Sequence, residues 1–521
     1  MDKKKRLITM VVTLLVLTIG VTFAYFIAKT GEGKQAGTAV TADTVDDLKF
    51  NVSKENLSLN INQFNFASGA GNLTDNVTAT ASLKANSTKK TAKYNYYVYF
   101  QIESNDYVYT TTDKKPEIVL SITGPNGEIT SVDGLTYVSA TNADGTVVKG
   151  FDITESKPSV VKIADSYEIS SSSSTNYTNQ EWTFTVTFIN LDTNQVGNKN
   201  KYLTGKVLIQ QEKIILNLSD VAKSGDSLAD SIKLLSQKSI SSISNLYYHD
   251  SNLENGANDN SYRYAGASES VNNYVCFGSD EVACPVDNLY RIIGVFDGRV
   301  KLIKADYPTS SLLGTDGDYK VAYSYDTSNY KGSLSALDIG EYYWNYKATG
   351  ASGTWSTSLL NKTNLNINFL NNIGSKWSKM IDITTWKVGG NTVENIRDVI
   401  PSVAYQNEIV NPATSSTYDA KVGLMYASDY GFAAAPSAWT TKFNFYSSSS
   451  IKSQNWMYMG LNEWIISPLS SSISAFIVTT YGYLLKYLVN NSYSTRPVFY
   501  LSSSVKFSLG DGTSTSPYRI S

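Results

Sequence analysis

The chain runs to 521 residues and balances 44 Lys plus Arg against 46 Asp plus Glu, a net charge of −2 with only 17% of positions charged. That length allows two or three domains, each with a core of its own, and the absence of a basic excess excludes nucleic acid as a partner. Tyrosine reaches 37 copies beside abundant Ser, Asn and Thr, a composition suited to pleated, half-exposed strands.

Lys3-Lys4-Lys5-Arg6 precedes Leu7 to Ala28, a run without a single charge. As a helix at 1.5 Å per residue this run is about 33 Å long, enough to cross a hydrocarbon core of about 30 Å. The cations predict a cytoplasmic tail over 1–6, a transmembrane helix over 7–28 and a polar spacer over 29–47, in a single-pass membrane protein with its C-terminus outside. Without Met1 to Arg6, which carry four cations and one anion, the outer part has a net charge of −5. A secretory signal is the alternative, with Ala24 and Ala28 as cleavage points, and the product is then secreted. The sequence Thr22-Phe23-Ala24-Tyr25-Phe26 after the apolar run resembles the signal of camelysin-like biofilm-matrix proteins.

Residues 48–215 predict an all-β antiparallel sandwich. Val77 to Leu83 alternates, Tyr94 to Ile102 and Glu117 to Ile122 are strand runs, and Gly124-Pro125-Asn126-Gly127 is a turn. Trp182, Phe184, Val186 and Phe188 alternate with Thr183, Thr185 and Thr187, the pattern of a strand with one wet face. Tyr202 to Gln210 is expected to close the sheet. Following the signal described above, this segment resembles the sandwich of camelysin-like proteins. Some relatives are described as metalloproteases, but the chain has no HExxH helix and the activity is not carried over.

Residues 216–260 predict a helix and a polar linker. Ser227 caps a helix with Asp230 at its third position, and Leu228, Ile232 and Leu235 form one stripe. Ser239 to Asn260 is the expected connection, with His249 an ordinary loop residue. Cys276 and Cys284 predict a disulfide closing a short loop around Gly278, since no further soft metal ligand lies near them.

The second globular unit, 261–521, is expected to be α+β. In Tyr290 to Ala305, Asp297-Gly298 supplies the two positive φ values of a tight hairpin turn. Leu365, Phe369, Ile373, Trp377 and Ile381 predict a helical stripe that enters from Thr357 and survives Gly374. A second helix is expected over Asn391 to Ile400, stopped by Pro401, and terminal strands follow from Arg496 to Ile520. The motifs RIIGVF, KLIKADY, NIGSKW, TTWKVGG, GLMYASDYGFA, NEW, RPVFYL and GDGTSTSPYRI resemble a family of exported surface proteins of Gram-positive gut bacteria. That resemblance implies a C-type-lectin-like domain of the retroelement-diversified type.

Ile465 to Leu485 contains no charge and no Lys, Glu, Gln, Met or Trp. The set is compatible with diversification at adenines. Physically, Ala475 to Thr480 and Tyr483 to Val489 predict a hairpin about Tyr481-Gly482, with Phe476 and Val478 inward and Ile477 and Thr479 outward. The expected ligand-binding residues are Leu469, Ser470, Ser471, Ser472, Ile473, Ser474, Ile477, Thr479, Tyr481, Tyr483, Leu485, Tyr487, Asn490 and Tyr493. Tyr anchors with small polar neighbours form the mixture that antibody paratopes use.

Other motifs carry less. Asp316-Gly317-Asp318 and Asp511-Gly512 lack the spaced carboxylates of a calcium loop and read as turns. Trp344, Trp355, Trp377, Trp386, Trp439, Trp456 and Trp464 fit a core better than a sugar platform. Asn51, Asn56, Asn72, Asn76, Asn86 and Asn176 begin N-glycosylation sequons. No catalytic residue, metal or cofactor is expected. The functional reading is a cell-surface adhesin or receptor-like protein that binds an extracellular protein or glycan. A biofilm-matrix or fibre subunit is the alternative, and a formylglycine-generating-oxidase-like enzyme a minor one.

Overall fold

The computed structural model describes residues 46–61, 73–86, 88, 91–239, 241–348 and 354–521. The expected tail, membrane or signal helix, most of the spacer and the Asn72 sequon lie outside the described residues. Among the described residues no helix is long and apolar enough to cross a membrane. The chain divides into two compact units, one running to Ile215 with Gln237–Ile243, the other comprising Leu216–Ser236 and Ser244–Ser521.

In the first unit the strands are β1 (Asp47–Val52), β2 (Leu57–Asn60), β3 (Leu73–Lys84), β4 (Ala92–Asn105), β5 (Ile118–Gly124), β6 (Gly127–Glu128), β7 (Thr136–Thr141), β8 (Val147–Asp152), β9 (Ser159–Ser171), β10 (Thr178–Phe188) and β11 (Tyr202–Gln210). One antiparallel sheet has the order β1-β3-β10-β5-β8-β7, with β6 on β5, and the other β2-β11-β4-β9. Their inner faces share one core, so the unit is a β-sandwich. Trp182, Phe184, Val186 and Phe188 all face that core, where Phe184 stacks on Phe100 at 5.9 Å and the Trp182 indole donates to the Tyr96 hydroxyl at 2.9 Å. Thr187 departs from the expected wet face and is buried. Beneath the loops lies the buried carboxylate of Glu117, which accepts from the Thr110 amide and hydroxyl, Gln195 Nε2 and Asn198 Nδ2.

In the second unit the strands are β12 (Leu246–Tyr248), β13 (Tyr262–Tyr264), β14 (Tyr274–Cys276), β15 (Leu289–Phe296), β16 (Arg299–Lys304), β17 (Tyr319–Ala322), β18 (Gly340–Tyr343), β19 (Thr384–Lys387), β20 (Thr417–Ala420), β21 (Val422–Gly423), β22 (Glu463–Pro468), β23 (Ser474–Val478), β24 (Leu484–Leu488), β25 (Ser492–Tyr493), β26 (Val498–Tyr500), β27 (Phe507–Leu509) and β28 (Arg519–Ile520). The central sheet has the order β12-β13-β15-β16-β26-β21, with β14 also on β15. Asp297 and Gly298, at φ 48° and 76°, make the turn between β15 and β16. The chain's end returns to the unit's beginning: the Leu228 amide donates to the Val505 carbonyl and the Tyr274 amide to the Gly512 carbonyl, at 3.0 and 2.8 Å. Cys276 and Cys284 are disulfide-bonded.

Three expectations fail here. The expected helix forms over Leu228–Lys238 with Leu228, Ile232 and Leu235 buried, but most of the expected connection, Ser239 to Asn260, belongs to the second unit: Leu246 is in its core and His249 is fully buried. Gly374 ends a helix rather than continuing one. It sits at φ 84° after the wide, π-type helix Leu360–Phe369 and the turn Leu370–Asn372, because glycine alone adopts that conformation without strain. All five stripe residues are nonetheless buried. Pro401 starts a helix, Pro401–Tyr405, instead of stopping one, since its missing N–H costs nothing at the first helical position.

Candidate ligand-binding surface

The segment singled out from sequence forms the sheet β22-β23-β24, with β24 as an outer strand. Its base is a buried ion pair, in which Arg496 Nε and Nη2 donate to the two Glu463 oxygens at 2.8 and 2.9 Å and Tyr307 adds a hydroxyl at 3.2 Å. Burial pushes the Glu463 carboxyl up, and Arg496 opposes it. The turn between β23 and β24 is fastened from below. The Tyr430 hydroxyl donates to the Gly482 carbonyl at 2.8 Å, and Tyr458 to that of Thr480. Gly482 lies at φ 91°, where a Cβ would stand 2.3 Å from Ile451 Cγ2, so this position requires glycine.

The structure sorts the expected residues by depth. Leu469, Ser474, Ile477, Thr479 and Tyr493 are buried, and Ile473, Tyr483 and Leu485 pack partly against the core. Ile477 and Thr479 therefore do not face outward: every residue of β23 is covered, on both of its faces. The unbroken apolar run Ala475-Phe476-Ile477-Val478 is the mark of a strand covered on both faces, whereas a strand with one wet face alternates. Ser470 is held by the Asn391 carbonyl at 2.9 Å, and the Ser472 and Ser474 hydroxyls bond each other at 2.9 Å. Ser471, Tyr481, Tyr487 and Asn490 remain exposed, and Tyr481 stacks parallel to Tyr483, with centroids 6.3 Å apart. Tyr487 meets Tyr493 edge-on at 5.3 Å, and Tyr493 in turn meets buried Trp464 at 5.0 Å. The outward tyrosine thus rests on a rigid aromatic base. Sequence reasoning missed exposed Leu488, Lys486 and Tyr325, the last packed 6.1 Å from Tyr493. The flanking polar residues and the end-strand position would have been the signal for the first two.

The other candidate motifs resolve into structure. All eight tryptophans are buried. Asp318 Oδ2 accepts from the amides of Leu359 and Leu360 at 2.8 and 2.9 Å, and Asp511 accepts from the Thr513 amide and hydroxyl. Among the described residues no group of three or more His, Cys, Asp or Glu could hold a metal ion. Of the sequon residues named above, Asn51, Asn56, Asn76 and Asn176 are exposed, whereas Asn86 is buried. His249 lies in the loop after β12, as expected, but is no ordinary loop residue: it is fully buried, its Nδ1 accepts from the Ala257 amide at 3.0 Å, and its ring lies 4.8 Å from Phe432 and 5.1 Å from Trp439. Burial, assisted by Arg263, pushes its pKa well down, so the imidazole is neutral. The chain matches no family model, no curated protein and no solved structure.

Proposed function

We propose that the protein is a membrane-tethered surface protein whose second unit, a C-type-lectin-like domain, binds an extracellular protein or glycan through the exposed part of 469–493. The observation that carries the reading is an outer strand with Tyr487 and Leu488 exposed and Tyr481 exposed in the turn before it, backed by a strand that is wholly buried. Tyrosine supplies large contact area at small entropic cost, and such anchors on rigid elements form binding hot spots. The lectin-like assignment is supported by the closed path of the unit, whose chain end returns to its beginning through backbone bonds from Leu228 to Val505 and between Tyr518 and Tyr274, and by the sequence motifs quoted above. Tethering is supported by the apolar run Leu7 to Ala28 behind its four cations.

The test is binding of the purified full-length chain to host cells and immobilised glycans, with Tyr481→Ser/Tyr487→Ser as the comparison. Loss of two hot-spot anchors is expected to weaken binding at least about thirty-fold, equivalent to about 2 kcal/mol. Binding unchanged in the double variant would overturn the surface assignment. Filaments of the purified chain with no cell or glycan binding would replace the adhesin reading with that of a matrix subunit.

A further inference from the structure

A cavity of about 140 Å³ in the second unit has none of residues 469–493 in its walls. Its floor is charged: Arg263, Lys301 and Asp429 are all at least 97% buried. Lys301 Nζ lies 2.5 Å from Asp429 Oδ2, which also accepts from the Tyr426 amide at 2.9 Å. Arg263 donates through Nε to Ser261 Oγ at 2.8 Å and through Nη2 to Asp259 Oδ2 at 2.5 Å. Its remaining nitrogen, Nη1, stands 4.0 Å from Asp429 Oδ1, beyond hydrogen-bond reach. Ring faces make the walls. The guanidinium lies 4.6 Å from the Phe296 centroid and 5.3 Å from that of Tyr405, and the ammonium 4.8 Å from Tyr426 and 5.3 Å from Tyr500.

The ligand class follows from what these groups already satisfy. The two buried cations are matched by Asp259 and Asp429, while the third carboxylate of the lining, Asp297, is exposed to solvent at the rim. An ion entering the floor would therefore leave one buried charge uncompensated, at a cost of several kcal/mol. Burial works against the Lys301 ammonium, but Asp429 beside it overrides this and holds the pKa above the ordinary lysine range, so the ion pair is not easily surrendered. A neutral ligand avoids that cost. The 4.0 Å gap from Arg263 Nη1 to Asp429 Oδ1 separates a donor from an acceptor. A hydroxyl group can bridge them by accepting from the first and donating to the second, and two adjacent hydroxyls can take one each. The cavity is far larger than the roughly 10–15 Å³ that a single bridging water needs. The Phe296 and Tyr405 side chains also line it, adding apolar wall for the C–H groups of a sugar ring beside the guanidinium that lies over their rings.

We propose that this cavity is a pocket for one neutral sugar residue, its hydroxyls held between Arg263 and Asp429 and its ring against the Tyr405 and Phe296 side. The pocket does not depend on the 469–493 surface, and either can fail alone. The experiment is saturation-transfer NMR on the full-length protein with methyl glycosides of neutral hexoses and N-acetylhexosamines, beside glucuronic acid and glycine as charged probes. Two variants localise the site. Ile409→Trp fills the cavity from a half-buried lining position without removing a charge, and Arg263→Lys keeps the charge but deletes Nη1. At least one neutral glycoside is expected to receive saturation from the wild type. That signal should fall at least tenfold in both variants and persist in Tyr481→Ser. No transfer to any neutral glycoside, transfer undiminished in Ile409→Trp, or transfer to the charged probes alone would each overturn the proposal.

Discussion

The two units bury polarity in opposite ways. The sandwich has clean alternating strands and places one carboxylate, Glu117, among neutral donors, while its ion pairs, such as Lys93 with Glu168, stay at the surface. The second unit buries Lys301 with Asp429 and Arg496 with Glu463 as ion pairs within its core layers, pairs buried Arg263 with Asp259, and holds buried Arg291 on the neutral oxygens of Asn273, Ser268 and Val271. Surface pairs contribute little to stability, but a buried pair with one member removed leaves an unpaired charge out of water. The second unit is therefore the one in which a single polar substitution should be ruinous, and the sandwich the one in which packing dominates.

Arg496→Met is the most direct way to break this contrast. It strands Glu463 and is expected to cost the second unit about 3–5 kcal/mol, read as a shifted denaturant midpoint. Lys93→Met should leave the midpoint of the sandwich almost where it was. Trp182→Ala is the matching test of the sandwich, expected to cost about 3–5 kcal/mol through lost packing. Seven of the eight tryptophans lie in the second unit, so fluorescence of this variant follows that unit while circular dichroism follows both. Coincident large losses by both probes would mean that the units do not unfold independently.

Cys276→Ser opens a nine-residue loop and is expected to cost about 2–3 kcal/mol in the second unit. A thermal scan of the wild type with and without reductant checks the same quantity. His249 gives a pH test. Its folded pKa is depressed from 6.5, so the unfolded chain takes up the proton that the folded one refuses. Its contribution is full above about pH 6.5 and is lost as pH falls below it, by up to about 1.4 kcal/mol per pH unit. The carboxyl of Glu408, raised by burial, acts with the opposite sign. The difference between wild type and His249→Phe across pH 7 to 5 therefore isolates the chain's only histidine, and a flat difference would refute its neutral burial. Smallest of all, Tyr481→Ser/Tyr487→Ser should move the midpoint by less than about 0.5 kcal/mol, so that any loss of binding is a surface effect.

The same contrast explains what was legible. Strands such as Trp182–Phe188 announce themselves because one face is wet, and the Asp297-Gly298 turn because its φ values demand those residues. The buried strand β23 carries a different sign, the unbroken apolar run Ala475 to Val478, and imposing alternation on it turns Ile477 outward. His249 sits in a polar run whose core partners, Phe432 and Trp439, lie far along the chain, beyond any local pattern. The pocket residues Lys301 and Asp429 do leave a trace in the sequence: Lys301 sits between Val300 and Leu302, and Asp429 is the lone charge in GLMYASDYGFA. A charge flanked on both sides by apolar strand or helix positions is the sequence mark of a buried pair.

The closure of the second unit also sets a timetable for synthesis. The sandwich needs nothing beyond Ile243, so it can complete soon after that residue leaves the ribosome. The second unit cannot, because Leu228 waits for Val505 and Tyr274 waits for Gly512. For almost 300 residues of elongation its first helix lacks the Val505 partner, and strands β12 to β16, which pair among themselves, lack the returning chain end, so both spend that interval partly open to chaperones and proteases. A chain cut short by a dozen residues would carry a finished sandwich and an unfinished second unit.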